Sequence, residues 1–294
     1  MKKITVVSGK GGTGKTVVTA SLAALAENKI MVDCDVDAAD LHLILHPETK
    51  ERHEFRGGSR AVIDEGLCVK CGKCVSICRF AAIGPDCRLE HFSCEGCGLC
   101  ARVCPHGAIR MEECVSGEWF VSHTGYGPLV HARLGAAEEN SGKLVSKIRK
   151  RAEEMAQEEG FDYVIVDGPP GIGCPVIASL SGADMALIVT EPTLSGLHDA
   201  ARVVQVAEQL KVPCALAVNK YDLNPQMAEE IERYCIGKSI PLISRIPFDR
   251  EVVGSVLKGI PVTQVAGSSA GDSIRQIWDK LRAYGRQVWK AEAR

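Results

Sequence analysis

Two groups of residues in this 294-residue chain can do chemistry by virtue of type and spacing. The first is a set of thiols. Ten of the fourteen cysteines fall between Cys68 and Cys114, and eight of those form two runs of identical spacing, C-x₂-C-x₂-C-x₃-C: Cys68, Cys71, Cys74, Cys78 and then Cys94, Cys97, Cys100, Cys104. Thiolates are soft ligands, and two-residue gaps let three of them wrap one cube of iron and sulfide while the intervening glycines admit backbone amides to the sulfurs. The second group is Gly9-Lys10-Gly11-Gly12-Thr13-Gly14-Lys15-Thr16. It lies between the β-branched run Ile4–Ser8 and a helical pattern carrying Val17, Leu22, Ala23, Leu25 and Ala26 on its apolar side. A G-x₄-G-K-[ST] loop between strand and helix is a phosphate cradle: its backbone N–H groups curl around phosphates and the helix start adds its positive end. Lys15 is expected to reach the β- and γ-phosphates of ATP or ADP, and Thr16 to ligate Mg²⁺.

Composition limits what else the chain does. Lys+Arg number 35 and Asp+Glu 37, a net charge of −2, which leaves no electrostatic footprint for nucleic acid or an anionic membrane. No apolar run approaches the ~18 residues that span a bilayer, and Met1-Lys2-Lys3 followed by a short apolar stretch does not read as a signal peptide. The expected location is cytoplasmic, where thiols stay reduced, so the cysteines need an explanation other than disulfides. The eight histidines form no ligand spacing.

Each cysteine run resembles the bacterial ferredoxin pattern, in which the fourth thiolate of one run serves the cluster of the other. The resemblance implies two [4Fe–4S] clusters, one held by Cys68, Cys71, Cys74 and Cys104 and the other by Cys94, Cys97, Cys100 and Cys78. Structural zinc is the alternative for Cys-x-x-Cys pairs, yet four ligands per ion do not explain two identical runs. Pro105 follows Cys104 as the pattern asks, whereas Arg79 follows Cys78, a departure that bears on the packing or potential of one cluster. Cys87 and Cys114 fit no ligand position and read as free thiols, redox-active if placed beside a cluster.

The phosphate loop, with Lys10 as a second lysine, resembles the deviant Walker A of the MinD/Mrp/nitrogenase-iron-protein ATPases. Resemblance implies that Lys10 crosses a dimer interface to the partner's nucleotide. It further implies that Asp33 supports the Mg²⁺ shell and that Asp35 orients the attacking water, so that Lys10, Lys15 and Asp35 are the catalytic set. Tyr163-Val-Ile-Val-Asp167 resembles Walker B, with Asp167 holding an Mg²⁺ water and the Gly171 amide sensing the γ-phosphate. Asn219-Lys220 resembles the base-reading position, and Ile246-Pro247-Phe248-Asp249 is expected from the same resemblance to complete the base pocket.

Strands and helices alternate from Ile4 to Leu45 and again from Leu144 to about Tyr284, which predicts a mostly parallel sheet covered by helices on both faces. The expected fold is an α/β P-loop NTPase (1–59 and 116–294) interrupted by a small ferredoxin-like α+β domain (60–115), with junctions at Gly57-Gly58-Ser59 and Val115-Ser116-Gly117. Residues 119–142 suggest no chemistry. Ile274, Ile277, Leu281, Tyr284 and Val288 recur at helical spacing, and the tail from Arg286 is a weak membrane anchor by the two-signal rule, so a core-packing last helix is expected. Cys34 and Cys174 read as buried packing residues. The whole resembles MinD-superfamily ATPases carrying a ferredoxin insert. That implies a slow, partner-stimulated, Mg²⁺-dependent ATPase that couples closure of a homodimer, or of a heterodimer with a paralogue, to electron transfer with a redox or iron–sulfur partner protein. The alternatives are cluster assembly or transfer of the Mrp type, against which the lack of a C-terminal Cys-x-x-Cys pair counts, and a MinD/ParA-like spatial organiser.

Overall fold

The computed structural model describes residues 1–37, 39–135 and 141–292, with side chains up to residue 283. In chain order the strands are β1 (Lys2–Ser8), β2 (Lys29–Asp33), β3 (Glu48–Ile63), β4 (Ile109–Thr124), β5 (Gly127–Leu134), β6 (Tyr163–Pro170), β7 (Met185–Thr190), β8 (Cys214–Asn219) and β9 (Leu242–Ile246). The helices are α1 (Lys15–Leu25), α2 (Leu41–Leu45), α3 (Lys73–Ile77), α4 (Leu99–Val103), α5 (Ser141–Glu159), α6 (Cys174–Leu180), α7 (Leu194–Gln209), α8 (Pro225–Gly237), α9 (Glu251–Leu257) and α10 (Ser269–Glu292). The sheet order is β3-β4-β5-β2-β6-β1-β7-β8-β9. The chain divides into two compact units, one of Met1–Arg52, Trp119–Arg133 and Ser141–Arg294, the other of His53–Glu118 and Leu134–Asn140.

The larger unit is built on parallel pairings of β2 with β5 and β6, β1 with β6 and β7, and β8 with β7 and β9. Its strands are apolar throughout because both faces are covered, and the period of two sorts each run between two cores. Ile4, Val6, Leu187, Val189, Ala215 and Ala217 face the core shared with α1 and α10. Val7, Ala186, Ile188, Leu216 and Val218 face the core shared with α6, α7 and α8. The last helix packs as its spacing predicts: Ile274, Ile277 and Leu281 are buried, and Trp278 joins them with its ring edge-on to Tyr163 at 5.1 Å. Tyr284, Val288 and the tail side chains lie outside the described residues. No helix among the described residues is long and apolar enough to cross a membrane.

The glycines expected to mark junctions are strand residues instead. Gly57-Gly58-Ser59 lies inside β3 and Val115-Ser116-Gly117 inside β4. The aromatic ring of Phe55 occupies the place a Cβ on Gly57 would take, and the Gly57 N–H donates to Ser116 Oγ at 3.0 Å. Gly57 therefore serves a close approach, not a turn. The smaller unit also takes Leu134–Asn140, which the sequence reading leaves in the larger domain. The segment from Trp119 onward, without assigned chemistry, supplies the end of β4 and all of β5, which pairs with β2.

Within the smaller unit the two cysteine runs repeat each other in backbone as well as in sequence, 26 positions apart (Cys68 to Cys94, Cys78 to Cys104). Gly72 and Gly98 open α3 and α4 with φ of 74° and 72°. Cys78 and Cys104 close them with ψ of 105° and 111°. Left-handed residues recur at Lys70 and Gly96, and at Ala81 and Gly107.

Candidate functional site

In the larger unit β1 ends at the phosphate loop, and Gly14 sits at φ 87° before α1 begins at Lys15. A side chain there is excluded twice, by the positive φ and by Asn219 Nδ2 in the space of its Cβ. Asn219, at the end of β8, donates from Nδ2 to the Thr13 carbonyl at 2.8 Å and accepts the Lys220 N–H on Oδ1 at 3.0 Å. The residue expected to read the base thus also braces the loop, and each end of its amide keeps capacity for one more hydrogen bond. A cavity of about 280 Å³ opens beside it, lined by Gly14, Val17, Asn219, Pro247, Phe248 and Ile274 among others. That volume is at the lower edge of small-ligand sites, about 300 Å³ upward.

Three predicted carboxylates gather at the loop. Asp33 of β2 is in register with Asp167 of β6, so both reach the same end of the sheet. Lys15 Nζ lies 3.0 Å from Asp167 Oδ1 and 4.0 Å from Asp35 Oδ2, with Lys15 and Asp167 buried. Thr16 Oγ1 donates to Asp167 Oδ2 at 3.0 Å and Thr19 Oγ1 to Asp167 Oδ1 at 2.7 Å. Asp33 Oδ1 accepts the Asp35 N–H at 3.1 Å, while its Oδ2 is buried without a partner. Burial pulls the Lys15 ammonium down, but Asp167, Asp33 and Asp35 more than offset it, so Lys15 holds its proton above the ordinary lysine range. Burial, reinforced by the Asp167 charge, pushes the Asp33 carboxyl well above the usual carboxylate range.

The Asp33 shift has a signed consequence. A carboxyl raised above its unfolded value of 3.8 binds more protons folded than unfolded, so stability falls as pH rises from that value through the folded titration. Asp33→Asn removes this loss. We expect it to raise the melting temperature of the nucleotide-free protein at neutral pH and to flatten its decline above roughly pH 4. Melting curves across pH check this; an unchanged slope in the variant contradicts it.

Lys10, expected to reach across a dimer, here lies on its own chain. Its Nζ is 3.5 Å from Glu191 Oε2 and 3.4 Å from the hydroxyls of Thr193 and Ser195. Glu191 also receives Lys220 Nζ on Oε1 at 2.6 Å. Sequence reasoning missed Glu191, although a lone acid directly after the buried strand β7, at the same sheet end as Asp33 and Asp167, was the available signal. It also missed Thr19, one helical turn beyond Lys15. The Gly171 N–H, expected to sense a γ-phosphate, donates to the Ser8 carbonyl at 2.9 Å, so in this state the amide is taken.

In the smaller unit two recesses collect the cysteines. One is lined by Cys68, Cys71, Cys74 and Cys104, together with Cys87. The other is lined by Cys78, Cys94, Cys97 and Cys100. The Ala82 N–H donates to Cys78 Sγ at 3.3 Å and the Ala108 N–H to Cys104 Sγ at 3.4 Å, the same contact in each repeat. Backbone N–H groups of His106 and Ala108 hold the Cys104 thiol below its ordinary value, whereas burial lifts those of Cys74 and Cys100. Among the described residues no three His, Cys, Asp or Glu side chains converge as the ligands of one metal ion. Four thiolates on one zinc stand only about 3.8 Å apart, given Zn–S of about 2.3 Å.

The remaining thiols separate by environment. Cys34 is buried and its thiol pushed up by that burial, as a packing residue should be. Burial pushes Cys214 and Cys235 up to about 11, which makes them inert. Cys174 contradicts the expectation of a buried side chain: it opens α6 on the exposed side. A residue in the first turn after a loop has solvent on the side where the helix body is not yet packed.

A parallel α/β sheet with a glycine-rich loop after its first strand, a lysine at the following helix start and acids at the neighbouring strand ends defines a P-loop nucleotide-binding protein. Residues 4–262 match the CobQ/CobB/MinD/ParA nucleotide binding domain, and the chain belongs to that family. It is 33% identical to an uncharacterized protein of Methanocaldococcus jannaschii over 285 residues, 96% of this chain and 97% of that protein. It is 26% identical to the septum site-determining protein MinD of Synechocystis, over 88% of this chain and 80% of the relative. Among solved structures it resembles the cell division ATPase MinD of Pyrococcus furiosus, with a TM-score of 0.60, 19% identity and coverage of 96% and 99%. The septum site-determining protein MinD of Pyrococcus horikoshii, complexed with Mg-ADP, gives a TM-score of 0.60 at 17% identity and coverage of 95% of each chain. These likenesses extend the shared fold over nearly the whole sequence.

Proposed function

We propose that this chain is a slow, Mg²⁺-dependent ATPase switch whose smaller unit carries two [4Fe–4S] clusters, and that nucleotide-driven closure of a dimer governs electron transfer through them. The observation that carries the reading is the pair of recesses, each lined by four cysteines drawn from both runs. Thiolates binding four different irons need not converge as the ligands of one ion do, so the recesses suit a cube better than zinc. Cys68, Cys71, Cys74 and Cys104 hold one cluster and Cys78, Cys94, Cys97 and Cys100 the other. A bound cluster supplies one-electron exchange at a potential set by charge, hydrogen bonds to sulfur and exposure.

At the nucleotide site the donor set is hydroxyl and carboxylate oxygen, which suits Mg²⁺: Thr16 as direct ligand, Asp33 and Asp167 behind it. Lys15 exchanges Asp167 for the β- and γ-phosphate oxygens, Asn219 and Pro247 hold the base, and Asp35 orients the attacking water. The acids facing Lys15 keep it charged until phosphate arrives. β3 and β4 each contain residues of both units, so the chain passes between the units within these two strands.

Lys10 must leave Glu191 to reach a second copy. Lys10→Ala is expected to leave nucleotide affinity near wild type but to cut ATP hydrolysis and ATP-dependent dimerisation at least tenfold. Glu191→Gln, which removes the charge that holds Lys10, is expected to favour the ATP dimer. Sedimentation and phosphate release check both; unchanged hydrolysis in Lys10→Ala contradicts the role.

A spatial organiser is the second reading, favoured by relatives that carry the name septum site-determining protein MinD. The eight paired cysteines have no part in it. The test that separates the outputs is to follow iron on the anaerobic protein after adding ATP with an apo-ferredoxin acceptor. Retained iron with faster cluster reduction supports gating, movement of iron to the acceptor supports cluster transfer, and no response of the clusters to nucleotide supports the organiser.

A further inference from the structure

Each recess brings one exposed cysteine to the surface, Cys71 in the first and Cys97 in the second, so the two mouths compare position by position across the repeat. Four positions beside the cysteines line both recesses. In the first they are Val69, Lys70, Lys73 and His106. Their equivalents 26 positions away, in the second, are Glu95, Gly96, Leu99 and Phe80. The backbone is alike at 70 and 96, left-handed with φ of 54° and 64°. The Ser59 carbonyl, however, fills the space of a Cβ on Gly96, whereas Lys70 is exposed. Two lysines and no acid line the first recess, while the charges lining the second, Arg79 and Glu95, cancel. Lys70 and Lys73 are both exposed, and among the described residues neither ammonium takes part in an ion pair. Leu67 and Val69, on either side of Cys68 in the chain, are exposed as well and give the mouth an apolar border.

We propose that the mouth of the first recess is the protein's electron-exchange face, and that it receives an acidic one-electron carrier protein whose redox group lies within a negatively charged surface. This rests on the reading that the recesses hold [4Fe–4S] clusters. Two ammonium groups beside an exposed ligand cysteine steer an anionic surface toward Cys71 and fix its orientation, an effect on the rate of encounter. Val69 and Leu67 supply apolar contact that excludes water once the carrier is seated. In the exchange one electron leaves the reduced carrier, which is oxidised by one equivalent. That electron enters the first cluster, whose net charge becomes more negative by one, and no atom or proton is transferred. The second mouth offers an exposed cysteine without the net charge, so an acidic carrier meets it unsteered.

The test mixes the oxidised, anaerobically purified full chain with reduced plant-type [2Fe–2S] ferredoxin, an acidic one-electron carrier, and separately with the reduced methyl viologen cation. Freeze-quench electron paramagnetic resonance follows the rate at which the chain's clusters are reduced. With ferredoxin the wild-type rate is expected to fall as salt is added, and to fall at least tenfold in Lys70→Glu combined with Lys73→Glu. The viologen rate is expected not to fall in that variant, which should keep about eight irons per chain. Lys70→Gln with Lys73→Gln gives a smaller loss and takes its place should the reversed variant fail to fold. Phe80→Ala with Leu99→Ala, at the twin mouth, is expected to leave the ferredoxin rate near wild type. An unchanged ferredoxin rate in the lysine variants overturns the docking face. So does an equal loss with both donors, because the lysines then act on the cluster and not on the partner. A loss confined to the Phe80 and Leu99 variant moves the face to the second recess and likewise overturns the proposal. Wild-type protein without iron overturns the cluster reading itself.

Discussion

Lys15→Ala is expected to weaken nucleotide binding at least a hundredfold, a loss of about 3 kcal/mol. In the nucleotide-free protein Lys15 is the cation among Asp33, Asp35 and Asp167, and its ammonium touches Asp167 directly at 3.0 Å. With nucleotide present the same ammonium is, on the proposed function, the charge that the loop is expected to bring to the phosphates. The variant therefore loses the phosphate contact and also leaves buried carboxylates uncompensated, an arrangement that costs about 3–5 kcal/mol when one partner of a buried pair is removed. Thr16 and Thr19 still donate to Asp167, which keeps the destabilisation toward the lower end. Nucleotide titration by calorimetry, with a denaturant melt of the apo protein, reads both. Near-wild-type affinity in a folded variant contradicts the assignment of the loop.

The second large effect concerns which thiols act together. Cys78 belongs by sequence to the first run but lines the recess of Cys94, Cys97 and Cys100, while Cys104 crosses the other way. Cys78→Ala combined with Cys94→Ala is expected to destroy one centre and leave about four irons. Cys78→Ala combined with Cys71→Ala strikes both centres and is expected to strip nearly all the iron. The reverse pattern, four irons kept in the second pair and none in the first, contradicts the crossed arrangement and assigns each run its own cluster.

Sequence alone made the phosphate loop and its acids legible because each requires a specific residue at a specific place. Gly14 admits no side chain, Lys15 must open the helix, and Asp33 must end β2 with Asp167 of β6 in register beside it. Strand–helix alternation likewise announced the parallel sheet. Other features escaped because they depend on what lies across the fold. Glycine at 57 suits both a turn and a ring packed over its Cα, and only the presence of Phe55 decides. Glu191 is chemically silent in the sequence until β7 brings it to Lys10 and Lys220. Cys87 has no ligand spacing, since its place in the recess comes from the turn between two repeats and not from a periodic element. Cys174 misled in the opposite direction: read as a buried packing residue after the switch loop, it is exposed at the first position of α6.

What the eight paired cysteines hold decides most directly whether the nucleotide switch has a redox output. Protein purified without oxygen is to be assayed for iron, acid-labile sulfide and zinc per chain. The prediction is about eight irons with about eight sulfides and no stoichiometric zinc. Zinc at about two per chain without sulfide, or a folded, nucleotide-binding chain free of iron, contradicts it and leaves a nucleotide switch of the MinD/ParA kind without a redox output.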